Sequence, residues 1–374
     1  MDSPVAHQVA VYRWFGDGAA SPTLDVSLRV DALSLAAIGA LALAMAGLAF
    51  HPASRDSATA ARRRSFAEPG FALFAAAMLL ASENLLQLFV FWELLSVAVW
   101  LAARADAGTK PAAQAGGRVL LTQFAGDALL LTAVLVCGTQ LGTLSMAALS
   151  QQTGQFLAAD VREPAFAQRT ALVGLTGFLV AAAAVVRCGQ FPAFGWLNDA
   201  ARGLTAGRMN DAAARLDRGE AASRDGGGSR AASPTTRLAL IQLVMPLGLY
   251  LVLRFEPLLV AAPDARWMLV VLGSLTAVMA ASVAVCEHEP SQVLLFSLAS
   301  QLGLMLAGAA HGTAAGVAGA VGLWLVLLTA RTAFVLCIGD GNRGIGWVAL
   351  ALITSGLAGQ HMVLAALWNQ AVGG

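Results

Sequence analysis

Residues 85–103 read LLQLFVFWELLSVAVWLAA, an apolar run that is interrupted near its centre by one acidic residue, Glu93. A helix of this length crosses the roughly 30 Å hydrocarbon layer of a bilayer at about 1.5 Å per residue. Lipid offers no partner for unpaired backbone groups, so a helix is the expected conformation. An ionisable group at that depth costs at least about 2.5 kcal/mol and must be paired, hydrated or functional. The stretch therefore predicts a transmembrane helix that carries a carboxyl group.

The same apolar pattern extends over the whole chain. Of its 374 residues, 58% are hydrophobic and 12% are charged, and the mean hydropathy is +0.70. A soluble domain is about one-quarter charged, so this composition predicts an all-α, polytopic transmembrane helix bundle of about ten spans. The expected spans are roughly 31–50, 66–82, 85–103, 118–138, 169–188, 236–255, 266–285, 291–310, 315–338 and 345–370.

The distribution of polar residues divides the chain into four parts. Residues 1–30 form an extramembrane segment without the pattern of a cleavable signal, and residues 31–201 form the first half of the bundle. Residues 202–234 are rich in Gly, Ser and Ala and predict a polar inserted loop, which precedes the second half at 235–374. Spans two and three are separated only by Ala81-Ser82-Glu83-Asn84, which predicts a tight antiparallel hairpin.

The basic residues indicate the orientation. They collect in three loops, after spans one, three and five, and the single lysine, Lys110, is in the second of these loops. Cytoplasmic loops are enriched in Lys and Arg, so these loops are expected in the cytoplasm and the amino terminus in the periplasm. The expected location is the bacterial inner membrane.

Several functional classes are disfavoured by composition. The net charge is +1, and the basic residues form no single stripe, so nucleic acid is not an expected partner. The four cysteines show no CxxC spacing and lie in or beside apolar segments, which favours buried thiols over metal ligands. Neither GxxxxGK[ST] nor a strand-linked GxGxxG is present. No metal and no cofactor are expected.

Four ionisable side chains fall within the predicted spans: Glu93, Asp127, Arg187 and Arg331. Glu93 is either a neutral carboxyl bonded to a neighbouring helix or a proton carrier, since a desolvated carboxyl suits proton exchange near neutral pH. Asp127 follows a glycine, and it either holds neighbouring helices together or takes part in proton transfer. Arg331 is interpreted mainly as structural, paired with backbone carbonyls or a carboxylate.

The stretch RCGQFPAFGWLNDA, residues 187–200, contains Pro192 within a segment at membrane depth. Proline removes a backbone donor and breaks a helix, and such breaks mark ion sites in transporters. We therefore expect a broken helix near Pro192, with Gln190 and Trp196 beside it. The alternative is a helix that ends at the membrane surface, with Trp196 as an interfacial anchor.

These motifs together resemble the antiporter-like subunits of complex I and of multi-subunit cation/proton antiporters, most closely the subunit L type of NADH-quinone oxidoreductase. The resemblance covers about residues 28–340, and its motifs are ENLLQLFVFWELLSVAVWLAA, RVLLTQFAGDALLL, CGQFPAFGWLNDA and SQVLLFSLASQLGLMLAG. Glu93 matches the family's membrane glutamate, Asp127 follows the matching glycine, and Ser300 and Gln301 are retained. The resemblance implies a subunit of a respiratory membrane complex that moves protons or monovalent cations, with no redox cofactor of its own.

The sequence also departs from this family. Arg187 stands where the family has a lysine, and arginine cannot release a proton, so Glu93, Asp127 and bound water remain for a relay. The other departures are Gln242 for a histidine, Ser291-Gln292 for a basic pair, Thr332 at the position of a late lysine with Arg331 beside it, and the insertion at 202–234.

Three functional hypotheses follow. In the first, the chain translocates protons or cations, with Glu93 as the exchanging carboxyl and Arg187 as its permanent counter-charge. In the second, it is a non-pumping scaffold that has lost the relay and docks other subunits through 202–234. In the third, it is the membrane subunit of an inorganic-carbon accumulation complex.

Overall fold

The computed structural model describes residues 7–15, 24–50, 59–104, 110–158, 164–205 and 234–340. Within these ranges the chain is a bundle of helices with one two-stranded β-hairpin, which confirms the predicted polytopic helical fold. The strands are β1 His7–Phe15 and β2 Leu24–Val30. The helices are α1 Ala32–Phe50, α2 Thr59–Leu80, α3 Leu85–Arg104, α4 Lys110–Val136, α5 Met146–Ala158, α6 Pro164–Arg187, α7 residues 195–205, α8 Pro234–Val244, α9 Leu247–Arg254, α10 Glu256–Val260, α11 Pro263–Cys286, α12 Pro290–His311 and α13 Ala314–Asp340.

Seven helical segments in the described ranges are long and apolar enough to cross a bilayer. They are Leu85–Arg104, Ala113–Leu141, Gln168–Arg187, Thr235–Arg254, Pro263–Cys286, Pro290–His311 and Ala314–Val335. The first two expected spans are helices whose apolar stretches, Ala32–Leu48 and Ala67–Leu80, are shorter. The expected span at 345–370 lies outside the described residues, so the expected number of about ten is not exact.

The β-hairpin packs on one end of the bundle, which we call the hairpin end. Strands β1 and β2 pair antiparallel, and the backbone N–H of Arg29 donates to Ala81 O at 2.8 Å. Ala81 belongs to the turn between α2 and α3, where the sequence predicted a tight hairpin, and this prediction is confirmed. The two strands themselves were not predicted.

The turn at the hairpin end is fixed by a buried carboxylate. Glu83 is 7% exposed and accepts hydrogen bonds from Ser27 Oγ at 3.3 Å, Ser145 Oγ at 2.6 Å and the N–H of Ala147 at 3.2 Å. These bonds join β2, the α2–α3 turn and the start of α5. The carboxylate at the first turn of α5 also suits the positive end of the helix dipole.

A second acid at the same end joins the start of α1 to the end of α9. Asp31 pairs with Arg254 and also accepts from the backbone N–H of Ser34 at 3.0 Å. Burial alone would raise the pKa of Asp31, but the bonds from Ser34 and Arg254 outweigh it and hold the pKa below its usual value.

Two helices in the described ranges are interrupted by a non-helical segment or a proline. Helix α6 ends at Arg187, and helical structure resumes at residue 195 after a segment that contains a cis peptide bond between Phe191 and Pro192. The predicted break near Pro192 is therefore confirmed. Helical structure continues in α7, and Trp196 is buried, so it does not have the exposure of the interfacial anchor that the alternative assigned to it. A second break, at Pro246, separates α8 from α9.

Close helix packing brings the broken segment against its neighbours. A Cβ atom on Gly248, at the start of α9, would lie 2.6 Å from Cys188 Sγ. A Cβ atom on Gly303 of α12 would lie 2.4 Å from the backbone oxygen of Gly273 in α11. Only glycine permits these approaches. The segment after Arg187 is thereby enclosed by α9, α11 and α12.

The polar loop expected at residues 202–234 begins later in the structure than predicted. Residues 202–205 continue α7, and a Cβ atom on Gly203 would lie 1.9 Å from Ala103 O, so α7 ends against the end of α3. Residues 206–233 lie outside the described residues.

Candidate functional site

Helices α3, α4 and α6 converge on a buried acid–arginine pair. Arg187, the last residue of α6, is 1% exposed, and its Nη2 lies 3.2 Å from Oδ1 of Asp127, which is 2% exposed. The same nitrogen donates to Ser96 Oγ at 2.7 Å and to the backbone oxygen of Trp92 at 3.2 Å. The pair thus joins the centre of α4 to the end of α6 and to α3.

Asp127 is held by donors on both oxygens. Trp92 Nε1 donates to Oδ1 at 2.6 Å, and Ser96 Oγ donates to Oδ2 at 2.6 Å. The indole ring of Trp92 also lies under the guanidinium, with Arg187 Cζ 4.3 Å from the ring centroid, which adds a cation–π interaction. A buried carboxylate with three donors is stabilised in its charged form at a fixed position.

Glycine allows the two charged helices to meet. A Cβ atom on Gly126 would lie 2.9 Å from Val186 Cβ, so a larger residue there would push α4 away from α6. Gly126 immediately precedes Asp127 and Val186 immediately precedes Arg187. The Gly-Asp sequence therefore places the carboxylate where the guanidinium can reach it.

Glu93 lies beside this pair but is not bonded to it. It is half-buried near the centre of α3, on a face that also carries Val90, which is 48% exposed. Within the described part of the chain, Glu93 makes no hydrogen bond and no ion pair, and it interacts with Asp127 and Arg187 only electrostatically at longer range. The guanidinium assigned to Glu93 from the sequence thus makes its direct ion pair with Asp127.

The broken segment is built around Gln190, which is fully buried. Its Nε2 donates to Cys188 O at 3.0 Å and to Ala299 O of α12 at 3.1 Å, while its Oε1 has no hydrogen-bond partner. Trp196 donates from Nε1 to Val186 O at 3.2 Å across the break. Pro192 itself is exposed. The structure therefore brings Gln190 and Trp196 to the break, next to the end of α6.

Arg331 forms a separate centre between α12 and α13. It is 4% exposed and donates to Gln301 Oε1, Leu294 O and Ser297 Oγ, each at 2.9 Å. No acidic side chain in the described residues pairs with it. The expected contact with a backbone carbonyl is present, and the alternative carboxylate partner is not observed there. Ser300 instead binds Ala277 O at 2.7 Å, which links α12 to α11.

The positions that depart from the resembled family carry buried polar atoms. Gln242 is 3% exposed, and neither its Oε1 nor its Nε2 has a partner. Ser291 Oγ and the Nε and Nη1 atoms of Arg187 are also buried without a hydrogen bond. Thr332, by contrast, bonds Leu328 O within its own helix at 2.8 Å. Buried polar atoms without partners in a roomy polar site are the usual places for internal water.

In the described ranges, no three His, Cys, Asp or Glu side chains lie close enough together to bind a metal ion. Two of the thiols, Cys137 and Cys188, are buried as expected, whereas Cys286 is exposed. The side chain of Cys337 is outside the described residues.

Sequence reasoning found the charged residues but missed their neutral partners. Trp92 immediately precedes Glu93, and Ser96 follows it by three residues. Nothing in this apolar run indicates that either side chain donates a hydrogen bond to Asp127 on the next helix. The break at Pro246 was also missed, although the proline itself in QLVMPLG was the available signal.

A bundle with a broken sixth helix and a buried acid–arginine pair defines a class of multi-pass membrane proteins with charged groups at bilayer depth. A family model described as NADH:quinone oxidoreductase/Mrp antiporter, TM, matches residues 82–209 and 229–371. The chain belongs to this family. It is embedded in the membrane as one of the family's antiporter-like subunits.

Curated relatives carry related names. F(420)H(2) dehydrogenase subunit L of Methanosarcina mazei is 30% identical over 354 residues, which cover 90% of this chain and 47% of the relative. NADH-quinone oxidoreductase subunit L of Rhodobacter capsulatus is 25% identical over 305 residues, which cover 80% of this chain and 38% of the relative. The chain thus spans less than half the length of these two relatives.

Solved structures share the fold. Respiratory complex I from Thermus thermophilus with bound NADH contains a chain that is 19% identical, with a TM-score of 0.68 over 95% of this chain and 71% of that one. The Mrp complex from Dietzia sp. contains a chain that is also 19% identical, with a TM-score of 0.65 over 97% of this chain and 40% of that one. At this identity the likeness establishes the fold alone.

Proposed function

We propose that the chain translocates protons as an antiporter-like membrane subunit of an NADH:quinone oxidoreductase-type complex, with Glu93 as the exchanging carboxyl. The observation that carries this proposal is the contrast between two carboxyl groups on adjacent helices. Asp127 accepts hydrogen bonds from Trp92 and Ser96 and pairs with Arg187, whereas Glu93 is half-buried without a bond in the described residues. A carboxyl free of fixed donors can change its protonation, and a paired one is held in the charged form.

Electrostatics couples the two carboxyls. Arg187 keeps its proton at any accessible pH, so the pair formed by Asp127 and Arg187 supplies a constant field at Glu93. A change of charge in a neighbouring subunit would then act mainly on Glu93, which lies on the less buried face of α3. This arrangement supports an exchange site that responds to its surroundings.

Buried polar atoms support a hydrated route away from the pair. Arg187, Gln190 and Gln242 each carry at least one buried atom without a hydrogen bond, and they belong to the end of α6, the broken segment and α8. Water bound at such atoms would connect the first half of the bundle to the second. None of these three groups is a proton donor and acceptor on its own, so water would carry the proton between them.

Protons are favoured over Na⁺ or K⁺ by the ligands that each ion needs. A desolvated metal cation needs several oxygen ligands in place of its hydration shell, whereas a proton needs one carboxyl oxygen. Glu93 makes no hydrogen bond or ion pair in the described residues, and the two buried guanidinium groups, Arg187 and Arg331, supply donors only.

The partners we propose are further membrane subunits in the bacterial inner membrane, with the amino terminus in the periplasm. The ends of α3 and α7 lie together, which places the basic side chains of Arg104 and Arg202 at the same end of the bundle. Basic residues at one end support a cytoplasmic location for that end. The hairpin end would then face the periplasm.

The test is Glu93→Gln in the assembled complex, reconstituted in vesicles, with proton movement followed by a pH-sensitive dye. We expect proton movement through this subunit to be lost, since glutamine cannot exchange a proton. Glu287→Gln, in the link between α11 and α12, removes a carboxyl elsewhere and is expected to leave transport unchanged. Unchanged transport in Glu93→Gln would reject the proposal.

A second candidate is a non-pumping scaffold. It is favoured by the replacement of titratable side chains at bilayer depth by Gln242 and Thr332, and by two guanidinium groups that cannot exchange protons. In that case the complex would assemble and transport equally well with Glu93→Gln, so the same measurement separates the two functions.

A further inference from the structure

A pocket of about 230 Å³ opens at the hairpin end, between the start of α11 and the end of α12. It lies apart from the acid–arginine pair, and none of the residues considered above contributes to it. Its lining consists of Pro263, Arg266, Trp267, Val270, Ala310 and His311.

The polar wall of the pocket carries positive charge with unused donors. Arg266 donates from Nε to Ala310 O at 2.7 Å and from Nη2 to His311 O, which caps the last carbonyls of α12. Its Nη1 has no acceptor among the described residues. The Nδ1 atom of His311 is buried and also has no hydrogen-bond partner. A guanidinium nitrogen without a partner suits an anionic oxygen, and His311 can add a second donor in the tautomer that carries its proton on Nδ1.

The apolar wall of the pocket continues along the outside of α11. Trp267 is 68% exposed, and Val271, Leu275 and Val278 follow on the same face at 55%, 42% and 68%. From Trp267 to Val278 this face is about 16 Å long at 1.5 Å per residue, close to half of a roughly 30 Å hydrocarbon layer. An exposed tryptophan at the start of such a face is typical of the membrane–water interface.

We propose that this pocket binds the phosphate group of an anionic phospholipid, with one acyl chain along the outer face of α11. The cationic pocket lies at the level of the headgroups, and the apolar face that leads away from it has the length of one leaflet. Free phosphate would use the pocket alone, whereas a lipid uses both the pocket and the face. The acidic residue on this turn, Asp264, is exposed and makes no ion pair with Arg266 in the described structure.

The test uses the purified full-length chain and native mass spectrometry, with phosphatidylglycerol or phosphatidylcholine of identical acyl chains added in detergent. We expect one phosphatidylglycerol to bind about tenfold more tightly than phosphatidylcholine, the size of one charge-assisted hydrogen bond. Arg266→Gln should abolish this preference. Val270→Phe, which fills the pocket and keeps the cap on α12, should weaken binding of phosphatidylglycerol as well.

The matched control is Arg104→Gln at the opposite end of the bundle. Arg104 is an exposed arginine that stacks on Trp100 at 5.2 Å and lies far from the lining of the pocket, so its loss should leave the bound lipid unchanged. Equal binding of the two lipids, displacement of phosphatidylglycerol by inorganic phosphate, or full binding in the Val270→Phe variant would each overturn the proposal. If Arg266→Gln does not fold, Val270→Phe decides.

Discussion

Asp127 and Arg187 are each almost fully buried, and neutral groups on α3 bond both oxygens of the carboxylate and Nη2 of the guanidinium. Ser96 serves both charges, since its hydroxyl contacts Asp127 Oδ2 and Arg187 Nη2. Trp92 does the same with its indole N–H, its ring and its backbone oxygen. The ion pair therefore has a structural role. Replacement of one partner alone should destabilise the protein more than replacement of both.

Replacement of one partner tests this at the residue scale. Asp127→Asn leaves Arg187 buried without its anion, and we expect a loss of about 3–5 kcal/mol in the free energy of unfolding. The loss should appear as a lower Tm in detergent. The double variant Asp127→Asn with Arg187→Gln should recover a large part of it, because no charge then remains uncompensated.

A more exposed ion pair, between α4 and α7, provides the control. Arg118 and Asp199 are 2.7 Å apart, but the side chain of Arg118 is 51% exposed, so Asp199→Asn should change the Tm little. Equal losses from Asp127→Asn and Asp199→Asn would contradict the assignment of Asp127 as the buried anchor.

At the scale of the element, the geometry of the site depends on how closely α4 approaches α6. Both helices are long and apolar, and they would pack in several registers if bulky side chains separated them. Gly126 removes the side chain at the point where Val186 crosses, which fixes the register with Asp127 opposite Arg187.

The Gly126→Ala variant therefore distinguishes the effect of helix–helix packing on stability from the effect of helix propensity. The added methyl would lie 2.9 Å from Val186 Cβ, so we expect a lower Tm and reduced proton movement as the ion pair lengthens. Gly117→Ala in the same helix meets nothing within 4 Å and should be neutral or stabilising by about 0.5–1 kcal/mol. A Gly126→Ala protein as stable and active as Gly117→Ala would show that close approach is not required.

The elements differ in how far sequence could predict them. Helices α3, α4 and α6 were predicted because long apolar runs have one solution in lipid. Helix α5 was missed, since its thirteen residues, MAALSQQTGQFLA, mix polar and apolar side chains and are too short for a span. The β-hairpin was missed because strand pairing depends on partners distant in sequence. The charged residues of the site could be predicted because they interrupt apolar runs. The roles of Ser96 and Trp92 could not, because they depend on the packing of α3 against α4.

At the scale of the whole molecule, the buried charged groups and the carboxyl proposed to exchange a proton occupy different places. The pair of Asp127 and Arg187 is at the junction of three helices, Arg331 is between α12 and α13, and Glu93 is on the less buried face of α3. A neighbouring subunit that covers that face would change the environment of Glu93 more than that of Asp127. The proposed proton exchange would therefore depend on the side chain of Glu93.

The most direct measurement is the pH titration of the protonated carboxyl band by infrared difference spectroscopy, on the chain reconstituted in lipid. Glu93→Gln and Asp127→Asn are compared with the unsubstituted protein under the same conditions. Among the 22 acidic residues of the chain, we expect one titrating component of this band to be absent from Glu93→Gln and retained in Asp127→Asn, since Glu93 is the proposed exchanging carboxyl and Asp127 is paired with Arg187. A band that is unchanged in Glu93→Gln and loses a titrating component in Asp127→Asn would contradict the account.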